Sequence, residues 1–300
     1  MSELNKIAIK ILSDGKGILA ADESTGTMSK RLEAVKVPSN EESRLLFRKT
    51  LFSSESMKNC IGGVILYDET IKQNSGSKKI PELINESGTV SGIKVDTGAK
   101  ILAGSPEEKI TEGLDGLRER LKEYHKLGAR FTKWRGVYNI SEKYPSKVSI
   151  YSNAHALARY AALVQEAGMV PIVEPEVLMD GNHSAMICFK KTSEVIKKCF
   201  EELIVHKIDL TGVILKPNMI LDGSKAEKRI SNDEVADLTL KCLKESVPQE
   251  VPGIAFLSGG QSEIEATENL NIINKKNNTN FIMTYSYGRA LQQSALKHWS

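Results

Sequence analysis

Eight short apolar runs recur along this chain, each entered through a glycine or the end of a helical stretch and left through polar or charged residues. They span residues 17–22, 62–68, 92–96, 129–135, 170–176, 212–218, 253–260 and 281–289. Runs of this length and composition suit strands buried on both faces, and parallel strands of that kind need a helical crossover between each pair. The crossovers are legible too. Residues 153–168 carry Ala154, Leu157, Ala158, Ala161 and Ala162 at helical spacing with Gly168 as a stop, and residues 113–127 set Leu114, Leu117, Leu121 and Tyr124 against charges. Ser231 with Glu234, and Ser262 with Glu265, have the spacing of a capping box. The pattern predicts an α/β fold, a (β/α)8 TIM barrel preceded by an amphipathic N-terminal helix. At 300 residues and 40% hydrophobic the chain can bury one sizeable core, and no linker or repeat divides it, so residues 1–300 are expected to form a single catalytic domain.

In such a barrel the chemistry gathers at the carboxyl ends of the strands, where residues two apart share a face. The strand ends here offer three charged pairs of that kind: Lys94 with Asp96, Lys133 with Arg135, and Glu174 with Glu176. Lys216 follows Val213, Ile214 and Leu215 and precedes Pro217, so its amine sits against an apolar strand end. Desolvation there favours the neutral amine, which attacks carbonyl carbon, and a nearby Lys133 would add like-charge repulsion. Glu174, on the neighbouring strand, is the candidate to protonate the hydroxyl that departs from a carbinolamine, and Asp22 is placed to orient or deprotonate a substrate hydroxyl. Plainer roles fit as well: Lys216 reaching solvent, Glu174 and Glu176 neutralising Lys133 and Arg135, Asp22 capping the segment after its strand, and Lys94 with Asp96 forming an ion pair.

Anion binding is suggested twice. Ser258, Gly259 and Gly260 close the seventh run with small residues, and Gly288 with Arg289 stands where the last strand gives way to a helix. Ser24, Thr27, Lys30 and Arg31 form a second basic group with hydroxyls after the first strand. Two anion sites on one mouth imply a bisphosphate or a pair of monophosphates.

Other classes are disfavoured. A formal charge of +3, with no stripe that mixes aromatic and basic residues, gives no footprint for nucleic acid. Cys60, Cys188, Cys199 and Cys242 show no C-x-x-C, which fits reduced thiols and a cytoplasmic protein. No segment is long enough to span a membrane, and residues 1–12 lack the apolar core of a signal peptide. His125, His155, His183, His206 and His298 have no metal-ligand spacing, so neither a metal nor a cofactor is expected in the mechanism.

Over nearly its whole length the chain resembles the class I fructose-bisphosphate aldolases. The stretches that carry the likeness are G-I-L-A-A-D-E-S-T-G from Gly17, K-W-R from Lys133, I-V-E-P-E-V-L from Ile172, L-K-P-N-M from Leu215, F-L-S-G-G-Q-S from Phe256 and S-Y-G-R-A-L-Q from Ser286. The resemblance implies reversible cleavage of fructose 1,6-bisphosphate to dihydroxyacetone phosphate and glyceraldehyde 3-phosphate. It implies that Lys216 forms the Schiff base, that Glu174 is its acid/base, that Asp22 and Lys133 work at the reacting carbons, and that Glu176 and Arg135 support them. It also assigns one phosphate to Ser258, Gly259, Gly288 and Arg289 and the other to Ser24, Thr27 and Lys94, and it implies a homotetramer. Thr27 stands where many members have serine, and Gly136 where a larger residue is common. Members continue past the position of Trp299 into a tail whose terminal tyrosine assists proton exchange; a chain without that tail is expected to protonate the enamine slowly. The competing readings are another lysine-dependent barrel, such as a transaldolase or a deoxyribose-phosphate aldolase, and a binding protein whose basic rim holds an acidic partner.

Overall fold

In the computed structural model, which describes residues 1–300, the eight runs become eight parallel strands. They are β1 (Gly17–Ala21), β2 (Ile61–Leu66), β3 (Val90–Lys94), β4 (Phe131–Tyr138), β5 (Val170–Val177), β6 (Ile214–Leu215), β7 (Gly253–Phe256) and β8 (Ile282–Tyr287). Each strand pairs with its sequence neighbours, and β1 pairs with β8 to close the barrel. Closure removes the sheet edges and leaves one inward and one outward face.

Outward residues pack on the helices in the larger core, with Leu66, Ile93, Trp134, Val173, Leu215 and Phe256 all fully or almost fully buried. Inward residues at the amino ends of the strands make a second, smaller core of Ile18, Phe131, Ile172, Ile214 and Ala255. The N-terminal helix Glu3–Leu12 lies beneath it, and its Ala8, Ile11 and Leu12 join the same core. Two glycines make this possible. A Cβ on Gly62 would lie 1.9 Å from the Ile11 carbonyl oxygen, and one on Gly92 would lie 2.4 Å from the Phe131 ring. Only glycine lets the helix and the ring approach so closely.

Several boundaries differ from the expected ones for local reasons. The seventh-strand neighbour at 212–218 contributes only Ile214–Leu215 to the ladder, because Leu210–Gly212 is a 3-10 turn and Pro217 has no N–H. Lys216 still holds the register by donating its N–H to the Val173 carbonyl at 2.9 Å. The helix expected over 113–127 spans Leu117–Lys126, since Gly116 before it takes φ 64°. The helix expected over 153–168 begins earlier, as Lys147–Glu166, because the Ser146 hydroxyl accepts from the Ser149 N–H. The capping box of Ser231 and Glu234 forms in full ahead of Asn232–Ser246. Ser262 caps Glu263–Lys276, but Glu265 turns its carboxylate to Arg229 at 3.2 Å, so only half of that box exists. The hairpin of Gly98–Leu102 with Ser105–Glu112 has no counterpart in the sequence reading. No helix is long and apolar enough to cross a membrane.

Candidate active site

The two-residue alternation that lays an apolar floor in the barrel lays charges one step above it. Phe131 is followed inward by Lys133, Ile172 by Glu174, Ile214 by Lys216, and Ala20 by Asp22 just past the end of β1. Lys133, Glu174 and Lys216 are each at most 4% exposed. They are not isolated charges. Lys216 Nζ lies 3.0 Å from Glu174 Oε1, Glu174 Oε2 lies 3.2 Å from Lys133 Nζ, and Lys133 Nζ lies 2.7 Å from Asp22 Oδ2. The result is a buried chain of alternating sign from β1 to β6. Arg135 pairs with Glu176 at the next level up, and Lys94 pairs with Asp96 at 2.7 Å.

Burial and pairing act against each other here. Burial alone would raise the Asp22 carboxyl, but Lys133 and Lys216 outweigh it and bring Asp22 down to about 2. Glu174 is likewise raised by burial and lowered further by Lys133, Lys216 and Arg135, so it ends below the usual carboxylate range. Burial would depress the Lys133 ammonium, yet Asp22 and Glu174 hold it well above the usual lysine range. The charge in contact with Lys216 is a carboxylate, Glu174, which stands between the two amines.

The charged layer floors a cavity of about 910 Å³ at the carboxyl ends of the strands. All thirteen residues to which the resemblance gives a catalytic or phosphate-binding role line it. On one rim, Gly259 has φ 57°, and Arg289 donates to the Gly259 carbonyl at 3.2 Å. Gly288 precedes the helix Arg289–Trp299 with no side-chain cap, so the first N–H groups of that helix face the rim without intrahelical acceptors. On the other side Ser24 caps Thr25–Ala34, its hydroxyl accepting from the Thr27 N–H and lying 3.1 Å from the Thr27 hydroxyl. Asp22 is therefore not the cap. Of the two basic residues there, Arg31 reaches the cavity and Lys30 does not.

Three contributors escaped the sequence reading. Glu23, beside Asp22 but facing away from it, is buried and takes both Arg31 and Gln292 on one carboxylate oxygen. Arg48, fully buried, donates to the Glu23 carbonyl at 2.8 Å and to Thr70 at 2.7 Å. Ser286 lines the cavity with a buried hydroxyl that has no protein partner. Ser286 had a signal, since it lies two residues before Gly288 on the inward face. Glu23 and Arg48 had none, because their partners are distant in sequence.

Comparison with known proteins places the chain in a family. The family profile "Glycolytic: Fructose-bisphosphate aldolase class-I" matches residues 3–300. The chain belongs to the class I fructose-bisphosphate aldolase family. It is an aldolase of glycolysis, a carbon–carbon lyase. The aldolase is 48% identical to the "Probable fructose-bisphosphate aldolase class 1" of Xylella fastidiosa, over 100% of this chain and 90% of that protein. It is 50% identical to the "Fructose-bisphosphate aldolase, non-muscle type" of Lethenteron camtschaticum, over 99% and 83%. Among solved structures it matches the Plasmodium falciparum fructose-bisphosphate aldolase, described in complex with TRAP and a small molecule inhibitor, at TM-score 0.97 and 44% identity, over 99% of this chain and 86% of that one.

Proposed function

We propose that the aldolase carries out its reaction through a Schiff base on Lys216, within a single catalytic domain over residues 1–300. The observation that carries this reading is the 3.0 Å contact between Lys216 and Glu174 above an apolar floor. Transfer of one proton across that contact turns an ion pair into a neutral amine and a carboxylic acid, which are the two reagents that iminium formation needs. The amine adds to the ketone carbon, Glu174 protonates the resulting hydroxyl, and water leaves. Asp22 then takes the proton of the substrate's C4 hydroxyl, the C3–C4 bond breaks, and its electron pair passes to the iminium to give an enamine. Glyceraldehyde 3-phosphate departs as the aldehyde. Protonation and hydrolysis of the enamine return dihydroxyacetone phosphate and the free lysine. Lys133, between the two carboxylates, keeps Asp22 ionised for its step, and the Arg135–Glu176 pair fixes the upper wall.

Ser258, Gly259, Gly288 and Arg289 hold one phosphate, and Ser24, Thr27 and Lys94, with Arg31 beside them, hold the other. Lys94 must leave Asp96 to do so, and a dianion is the group that draws it off. The aldolase acts in the cytoplasm as a homotetramer. Exposed Val148, Tyr151, Met186, Ile204 and Val205, on the helices after β4 and β5, support association between copies. Turnover of the bisphosphate by Lys216→Met tests the assignment: activity above the uncatalysed rate would reject it. Comparing fructose 1,6-bisphosphate with fructose 1-phosphate in wild type and Lys94→Ala tests the second phosphate site, which predicts that only the bisphosphate loses kcat/KM.

A further inference from the structure

Outside the mouth, folding brings His155 to a helical pair of metal-type ligands, Glu202 and His206, from which it is distant in sequence. His155 lies midway along Lys147–Glu166, the helix after β4, while Glu202 and His206 lie one turn apart at the end of Ala185–Val205, the helix after β5. These two helices pack side by side on the outer wall of the barrel, and one ligand atom from each of the three residues lies within 4.8 Å of the others. His155 Nδ1 is 3.2 Å from Glu202 Oε2, close to the separation of two ligands on one tetrahedral ion with bonds of about 2.0–2.2 Å. None of the three residues lines the catalytic cavity.

The surroundings orient each ligand. His206 Nδ1 lies 2.8 Å from the Glu202 carbonyl oxygen, an acceptor only, so this nitrogen carries the proton and the lone pair is left on Nε2. A backbone carbonyl on the far nitrogen is the usual way in which a ligating histidine is held in its tautomer. Lys198 takes the other Glu202 oxygen, Oε1, at 2.9 Å, which turns Oε2 toward His155. Glu201, 3.4 Å from Lys198, offsets the added positive charge. The two imidazole rings meet edge to face with centroids 5.0 Å apart.

We propose that His155, Glu202 and His206 form a surface site for a divalent first-row transition ion, of which Zn2+ is the representative, with water completing the coordination. Two imidazoles and one carboxylate suit Zn2+, Co2+, Ni2+ or Cu2+ and not Mg2+ or Ca2+, which favour all-oxygen sites. The ion clamps the helices after β4 and β5 and takes no part in the aldol chemistry. Because both imidazoles must be neutral to bind, affinity falls as they protonate.

The test uses the full chain in its native assembly with Cys60→Ser, which removes the one exposed thiol and leaves three buried cysteines. Zn2+ is titrated by calorimetry, and Co2+ by visible absorption, into this parent and into His155→Ala and His206→Ala made on it. The expected result is one saturable site per chain in the parent, a thermal midpoint raised by Zn2+, and affinity reduced about 10-fold or more in each histidine variant, since loss of a ligand exceeds the 10–100-fold effect of losing an outer partner. The metal-free variants should keep the parent's circular dichroism and cleavage rate. No saturable binding by the parent, or equal binding by parent and variants, would overturn the proposal.

Discussion

Replacing Lys133 with methionine isolates the electrostatic logic of the site, because methionine keeps most of the lysine volume and removes only the charge between Asp22 and Glu174. In the wild type both carboxyls sit below their ordinary values. A depressed carboxyl contributes stability that is complete above its unfolded value and is lost as pH falls through the folded value. For Asp22 that window runs from the ordinary 3.8 down to about 2, and the difference corresponds to roughly 2–3 kcal/mol. Without Lys133, burial, the largest influence on Asp22, is opposed chiefly by Lys216, and we expect the Asp22 carboxyl to rise above its unfolded value. The sign of its linkage then reverses, so its cost is present at neutral pH and is relieved as pH falls and the carboxyl takes up a proton. Breaking a buried pair by removing one partner costs about 3–5 kcal/mol at pH 7. Uptake of a single proton can recover at most about 2.7 kcal/mol over two pH units, and we expect the gap between variant and wild type to narrow from pH 7 to pH 5 by no more than that. Urea unfolding of both proteins at the two pH values measures this. A gap that stays constant, or widens toward pH 5, would refute the account of opposed burial and pairing.

Glu174→Gln should leave substrate binding in place but slow iminium formation by about 10²–10⁴-fold, read as the rate of borohydride-trappable adduct in single-turnover mixing. For Arg289→Ala, removal of a charged donor to phosphate predicts a loss of about 1.5–3 kcal/mol in binding, seen as a raised KM for the bisphosphate with a smaller change in kcat. Gly92→Ala drives a methyl group to 2.4 Å from the Phe131 ring. It should destabilise the barrel by about 1–3 kcal/mol in urea melts, and Phe131→Leu in the same chain should recover part of that loss.

The barrel was legible because its signal is local. Each strand buries both faces, so runs such as 62–68 and 170–176 open on unbroken apolar stretches, Gly62–Leu66 and Val170–Val173, before their charged residues appear. The charged layer was legible for the same reason: alternation from Ile172 fixes where Glu174 must point, whatever lies across the barrel. The hairpin strand Ser105–Glu112 gave no such signal, since its two buried residues, Glu108 and Thr111, are polar and no apolar run marks it. The Glu23–Arg48 contact and the meeting of His155 with His206 depend on how separate helices pack, and neither spacing nor composition records that. The role of Glu174 between two amines belongs to the same class. Sequence put the three side chains on one face, and only the closed barrel fixes which contacts which.

The most direct measurement is borohydride reduction of the protein in the presence of dihydroxyacetone phosphate, with the modified peptide mapped by mass spectrometry and the experiment repeated after EDTA treatment. The account predicts a single stable adduct on Lys216, formed equally with and without chelator. An adduct on any other lysine, no adduct at all, or trapping abolished by EDTA would contradict it.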